Sequence, residues 1–185
     1  MIRSGGKREL VFFIIIFAVF YILTASVVPY LGIRPSFDVL TDKGTVMNTV
    51  RPDIMLALVI CCAIVASGKR TVVLGIIFGF IVDVTCSVPM ISSLCYCLCA
   101  MYAGKLSHIF FGRGVVNAVL VSFPLLLMRS IISTFYLLGT WHNISFRDII
   151  TGAVIPEYIY NIVTVAIVWG VLALLMKIFR IEKTV

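Results

Sequence analysis

The sequence predicts an all-α integral membrane protein, a compact bundle of six transmembrane helices forming a single domain over residues 1–185. Three observations carry that expectation. Hydrophobic residues make up 62% of the 185 positions and charged residues 12%, which leaves more apolar surface than one soluble core can bury. Apolar runs approaching the roughly 20 residues that a helix needs to cross a bilayer recur along the chain with short breaks between them. Residues 11–20 and 119–128 are apolar almost throughout, unlike the alternating segments of a membrane barrel.

The first run, residues 10–31, follows Arg3, Lys7 and Arg8. Thr24-Ala25-Ser26 looks like a signal-peptide cleavage site, but Val27, Val28, Tyr30 and Leu31 continue the apolar pattern, so the run reads as an uncleaved helix. Residues 32–51 form the longest external segment, in which Arg34 and Lys43 offset Asp38 and Asp42. It reads as a solvated connector or as one holding an interfacial turn near residues 37–40.

Arg51-Pro52-Asp53 opens the second span, residues 54–67, and Lys69-Arg70 turns the chain into the third, residues 71–87, which carries Gly75, Gly79 and Asp83. Ser87-Val88-Pro89 places no charge in the next hairpin, as a tight turn close to the membrane requires. The fourth, fifth and sixth spans are expected at 89–106, 115–139 and 149–179. Pro156 suits a helix first turn in the last of them.

Charge sets the orientation. The N-terminus, the 69–70 turn, the 105–113 loop and the C-terminus hold ten Lys and Arg, against four on the other side at Arg34, Lys43, Arg51 and Arg147. By the positive-inside rule both termini are expected in the cytoplasm. The formal net charge of +7 is thereby read as topology, and no nucleic-acid partner is expected.

Ionisable residues inside apolar spans mark candidate sites. Counted at about 1.5 Å per residue from the cytoplasmic ends, Asp83 rises about 20 Å above Arg70 and Arg129 about 24 Å above Arg113. The second span is only about 21 Å long, so its polar entry should sink below the outer surface of a core about 30 Å thick. Glu157 falls near the outer boundary. Arg51, Asp53, Asp83, Arg129 and Glu157 are therefore expected to converge as an intramembrane polar cluster in the outer half. Such a cluster either binds something or fixes a partner-competent bundle, or it consists of internal bridges that set helix register; Arg51 and Arg129 could also snorkel to the interface.

Gly75 with Gly79, and Ala100 with Gly104, are the helix-packing steps expected to bring backbones together. Asn161 is polar enough to bridge helices. Six cysteines lie mostly in apolar spans without paired CxxC spacing, so no metal site is expected. His108 and His142 sit near span ends and read as interfacial, and no phosphate-binding loop, HExxH or GxSxG is present. Neither an enzyme nor a cofactor is expected.

Arg51-Pro52-Asp53 entering a short span, then Gly75, Gly79-Phe80, Asp83, Tyr102 with Gly104, and Tyr160-Asn161 after Pro156, resemble the MreD family of rod shape-determining proteins over essentially the whole chain. Cys86-Ser87-Val88-Pro89 departs from the more glycine-rich hairpin expected there. The resemblance implies a non-enzymatic component of the cell-elongation and peptidoglycan-synthesis machinery in the bacterial cytoplasmic (inner) membrane. Its implied partner is an MreC-like bitopic membrane protein, and through it MreB filaments, the RodA glycosyltransferase and a class B penicillin-binding transpeptidase. The family is also similar to the six-helix substrate-binding subunits of energy-coupling-factor vitamin transporters, so a solute-binding subunit is the alternative. Few aromatic or polar residues on the external side, apart from Phe37, Trp141, His142 and Asn143, favour the scaffold.

Overall fold

A computed structural model describes residues 5–32, 39–41, 44–46, 51–66, 69–86, 91–109, 114–140 and 146–179. Helix α1, Gly5–Val27, ends in a 3-10 turn, Val28–Leu31, with Pro29 in its first positions, where a missing N–H does no harm. Phe12, Phe13, Ile16, Phe17 and Phe20 bury one face of α1, while Ile15 and Ile22 stay exposed. The Phe17 ring meets Phe78 at 5.0 Å between centroids.

The connector beyond α1 contains two short strands. Strands β1, Val39–Thr41, and β2, Gly44–Val46, pair antiparallel with Val39 opposite Val46 and Thr41 opposite Gly44. Valine and threonine suit extended backbone, and only two residues separate the strands, the length of the commonest hairpin connection. The expected interfacial turn at 37–40 is thus partly a strand, and Phe37 and Asp38 lie outside the described residues.

Helix α2, Ile54–Val65, is the centre of the bundle. Every residue from Met55 to Val65 is buried, and α1, α3, α4, α5 and α7 all pack on it. An all-apolar helix is at home in lipid as well as in a core, but 12 residues are too few to cross the lipid alone, which suits α2 to a position enclosed by longer helices. Helix α3, Lys69–Cys86, and α4, Ile91–Ile109, pair closely beside it. Helix α5 runs Val115–Thr140 and contains Pro124.

The expected sixth span is segmented. A short helix α6, Phe146–Ile149, passes through a π-helical turn, Ile150–Val154, into α7, Ile155–Ile178. The Ile155 N–H donates to the Ile150 carbonyl, one residue wider than an α-helical bond. Pro156 supplies the reason: it has no N–H for the carbonyl four residues back, and its ring would crowd that carbonyl in an α-helical register.

Among the described residues three helical segments are long and apolar enough to cross a membrane: Leu10–Leu31, Val115–Tyr136 and Ile155–Ile178. Helix α2 is apolar but has 12 residues, about 18 Å, against a hydrocarbon core of about 30 Å. Helix α3 carries Lys69, Arg70 and Asp83 within its 18 residues.

Candidate functional site

The site begins at the cap of α2. Aspartate is a favoured N-cap because its carboxylate accepts an otherwise unpaired amide of the first turn, and Asp53 Oδ1 accepts the Leu56 N–H at 2.9 Å. On an ordinary surface helix water would satisfy the rest of the carboxylate. Here neighbouring helices enclose α2, and side chains from three of them complete the cap.

The Tyr96 hydroxyl of α4 donates to Asp53 Oδ1 at 2.7 Å, and Arg129 Nη2 of α5 lies 3.0 Å from Asp53 Oδ2. Asn161 of α7 accepts the Asp53 N–H on its Oδ1 at 2.7 Å. Arg129 Nη1 then donates to Glu157 Oε1 of α7. Tyr96 and Asn161 are buried, whereas the side chains of Arg129, Asp53 and Glu157 retain 18%, 12% and 23% exposure. The network therefore reaches partial contact with its surroundings on the Glu157 side.

Of the five residues expected to converge, Asp53, Arg129 and Glu157 are joined by ion pairs. Arg51 is exposed at the entry to α2. Asp83, 3% exposed, serves another purpose: its Oδ1 and Oδ2 accept the Ser92 and Ser93 N–H groups at 3.0 and 2.8 Å, capping the start of α4. A negative charge at a helix N-terminus is favourable there. The direct pairing of Asp83 with Arg129 suggested by their matched heights is replaced by this cap, because height along a helix says nothing about the direction a side chain faces.

Spacing does contain that direction. Gly75, Gly79 and Asp83 follow one another at four-residue steps and so lie on one face of α3. An ideal Cβ on Gly79 would stand 2.6 Å from Ser93 Cα, and one on Gly75 would stand 3.3 Å from the Tyr96 carbonyl oxygen. The two glycines bring α3 against α4, and Asp83, one turn beyond Gly79, meets the first amides of α4. On α4 itself Ala100 is buried and Gly104 half-buried.

Tyr96 was not singled out by the sequence reading; its signal is a hydroxyl on an otherwise apolar stretch of α4 between Cys95 and Cys97. Asn161 bridges helices as its polarity suggested. The thiols of Cys61 and Cys99 approach the Val165 and Leu125 carbonyl oxygens at 3.9 Å, a packing role. Trp141, His142, Asn143, residues 87–90 and the side chains of Cys86 and His108 lie outside what is described. Among the described residues no group of three or more His, Cys, Asp or Glu is placed to hold a metal ion.

Chemically the arrangement is a brace. The Asp53 carboxylate and amide tie α2 to α4, α5 and α7, and Arg129 ties α5 to α7. Comparison with protein-family models, with curated proteins and with solved structures finds no match for this chain.

Proposed function

We propose that the chain is a six-span scaffold of the MreD type in the bacterial cytoplasmic membrane, with both termini cytoplasmic, that grips the transmembrane helix of an MreC-like partner. Through that partner it would be linked to MreB filaments, RodA and a class B penicillin-binding transpeptidase in peptidoglycan synthesis. The assignment to this class rests on the sequence resemblance set out above. One structural observation favours it over solute binding. Both oxygens of the Asp53 carboxylate, and its amide, are engaged by the chain's own helices, so the centre of the polar cluster is committed to internal contacts.

The rival reading, a vitamin-binding subunit built on a similar six-helix bundle, needs polar groups turned toward a solute. Glu157 and Arg129 retain partial exposure, but both are engaged in the same brace. The deciding experiment is co-expression with the MreC-like protein of the same organism, followed by affinity purification in mild detergent and by crosslinking in membranes. A stoichiometric complex is expected. Absence of the complex in both formats, or tight vitamin binding by the isolated chain, would overturn the scaffold.

A further inference from the structure

The outer faces of α5 and of the α6–α7 segment enclose a groove of about 370 Å³ whose lining is almost wholly apolar. Leu127, Ile131 and Leu138 form one wall and Phe146, Ile150 and Tyr158 the other. At the Tyr158 end, the Tyr158 hydroxyl donates to the Phe123 carbonyl at 3.0 Å, and the two rings meet edge to face at 5.3 Å. Thr134, also in the lining, donates its hydroxyl to the Ser130 carbonyl at 2.7 Å, so that hydroxyl is satisfied within α5. At the other end, next to Phe146, Arg147 is exposed.

Shape selects the occupant. From residue 127 to residue 138 the groove runs about 16 Å along α5, and it stays open along one side. Transmembrane helices pack closely where small residues line the contact. This groove is lined by large aliphatic and aromatic side chains. Its length instead matches one leaflet of hydrocarbon, about 15 Å, and it occupies the second half of the Val115–Tyr136 span, with a cation at the end where a headgroup would lie. We propose that the groove holds one acyl chain of an anionic membrane phospholipid, with Arg147 on its phosphate. The inference needs the membrane setting but is independent of the MreC-like partner.

The test uses the full chain in nanodiscs of phosphatidylethanolamine and phosphatidylglycerol, doped with phosphatidylglycerol bearing a diazirine on one acyl chain. After photolysis, label mapped by mass spectrometry should concentrate on residues 127–138 and 146–158 over the equally exposed Ile76, Ile77 and Phe80 face of α3. Ile131→Trp, which fills the groove, should reduce that label to the level on α3; Leu138→Trp, nearer the mouth, is the second variant should the first not fold. Ile77→Trp should leave the groove label unchanged, and Arg147→Gln should abolish the preference for phosphatidylglycerol over labelled phosphatidylcholine. Even labelling of both faces, or groove label that persists in a folded filling variant, would overturn the proposal. So would displacement by a polyprenyl phosphate but not by phospholipid, or loss of label on binding the MreC-like partner, either of which would assign the groove to a different occupant.

Discussion

Replacing Asp53 with alanine should remove the α2 cap and leave the Tyr96 hydroxyl and one side of Arg129 without their acceptor. Breaking a buried ion pair by deleting one partner costs about 3–5 kcal/mol, and the partial exposure of this one places it toward the lower end. Asp53→Asn should lose less, because asparagine caps helices nearly as well while giving up the charge. Equal losses for the two, measured by denaturant titration in detergent, would mean that charge alone carries the interaction. Exchanging Arg129 and Glu157, as Arg129→Glu with Glu157→Arg, should fail to restore stability, since the new glutamate would face Asp53. Rescue by that double variant would show that the Arg129–Asp53 contact is dispensable. Residue heights made Asp53, Arg129 and Glu157 legible in the sequence as members of one centre. They could not reveal Tyr96, whose part depends on which way α4 faces, nor separate Asp83 from the others.

The α3–α4 pair places its own demands on sequence. A methyl group on Gly79 would meet the Ser93 backbone at 2.6 Å, and backbone cannot yield as a side chain does. Gly79→Ala should therefore push the helices apart, weaken the Asp83 cap and destabilise the protein by about 1–3 kcal/mol, in the range of overpacked cores. Gly75→Ala, with its nearest contact at 3.3 Å, should cost less. Thermal unfolding of the two variants tests the order; a smaller loss at Gly79 would show that the pair does not depend on that close approach. The four-residue glycine step announced this contact in the sequence. The segmentation of the last span was not announced, because Pro156 is compatible equally with a helix start and with a π turn inside a longer helical run.

At the scale of the molecule, composition foretold the helical runs, and among the described residues three of them have the length and apolarity to cross a membrane. It did not single out which helix is central, although α2 is built only of aliphatic, sulfur-containing and alanine side chains. The hairpin at 39–46 escaped notice because three-residue strands leave little periodicity to read. Ile60→Ala, at a position with 0% exposure, should destabilise the fold by about 2–5 kcal/mol, the range for emptying a packed site. Ile15→Ala on the exposed face of α1 should leave detergent stability nearly unchanged. Similar losses at both positions, measured under one detergent condition, would argue against α2 as the core.

The enclosed cap of α2 also bears on biogenesis. A 12-residue helix cannot settle across a bilayer by itself, and Tyr96, Arg129 and Asn161, the side chains that hold its polar end, are all synthesised after it. In a membrane the segment is therefore expected to gain its full set of partners only once α7 is made and delivers Asn161 to Asp53 and Glu157 to Arg129. A chain ending at residue 145 should be cleared by membrane quality-control proteases far faster than the full-length chain in a pulse-chase experiment. In that outcome α7 would be the latch on the first half of the protein, its synthesis setting the moment at which the bundle becomes permanent.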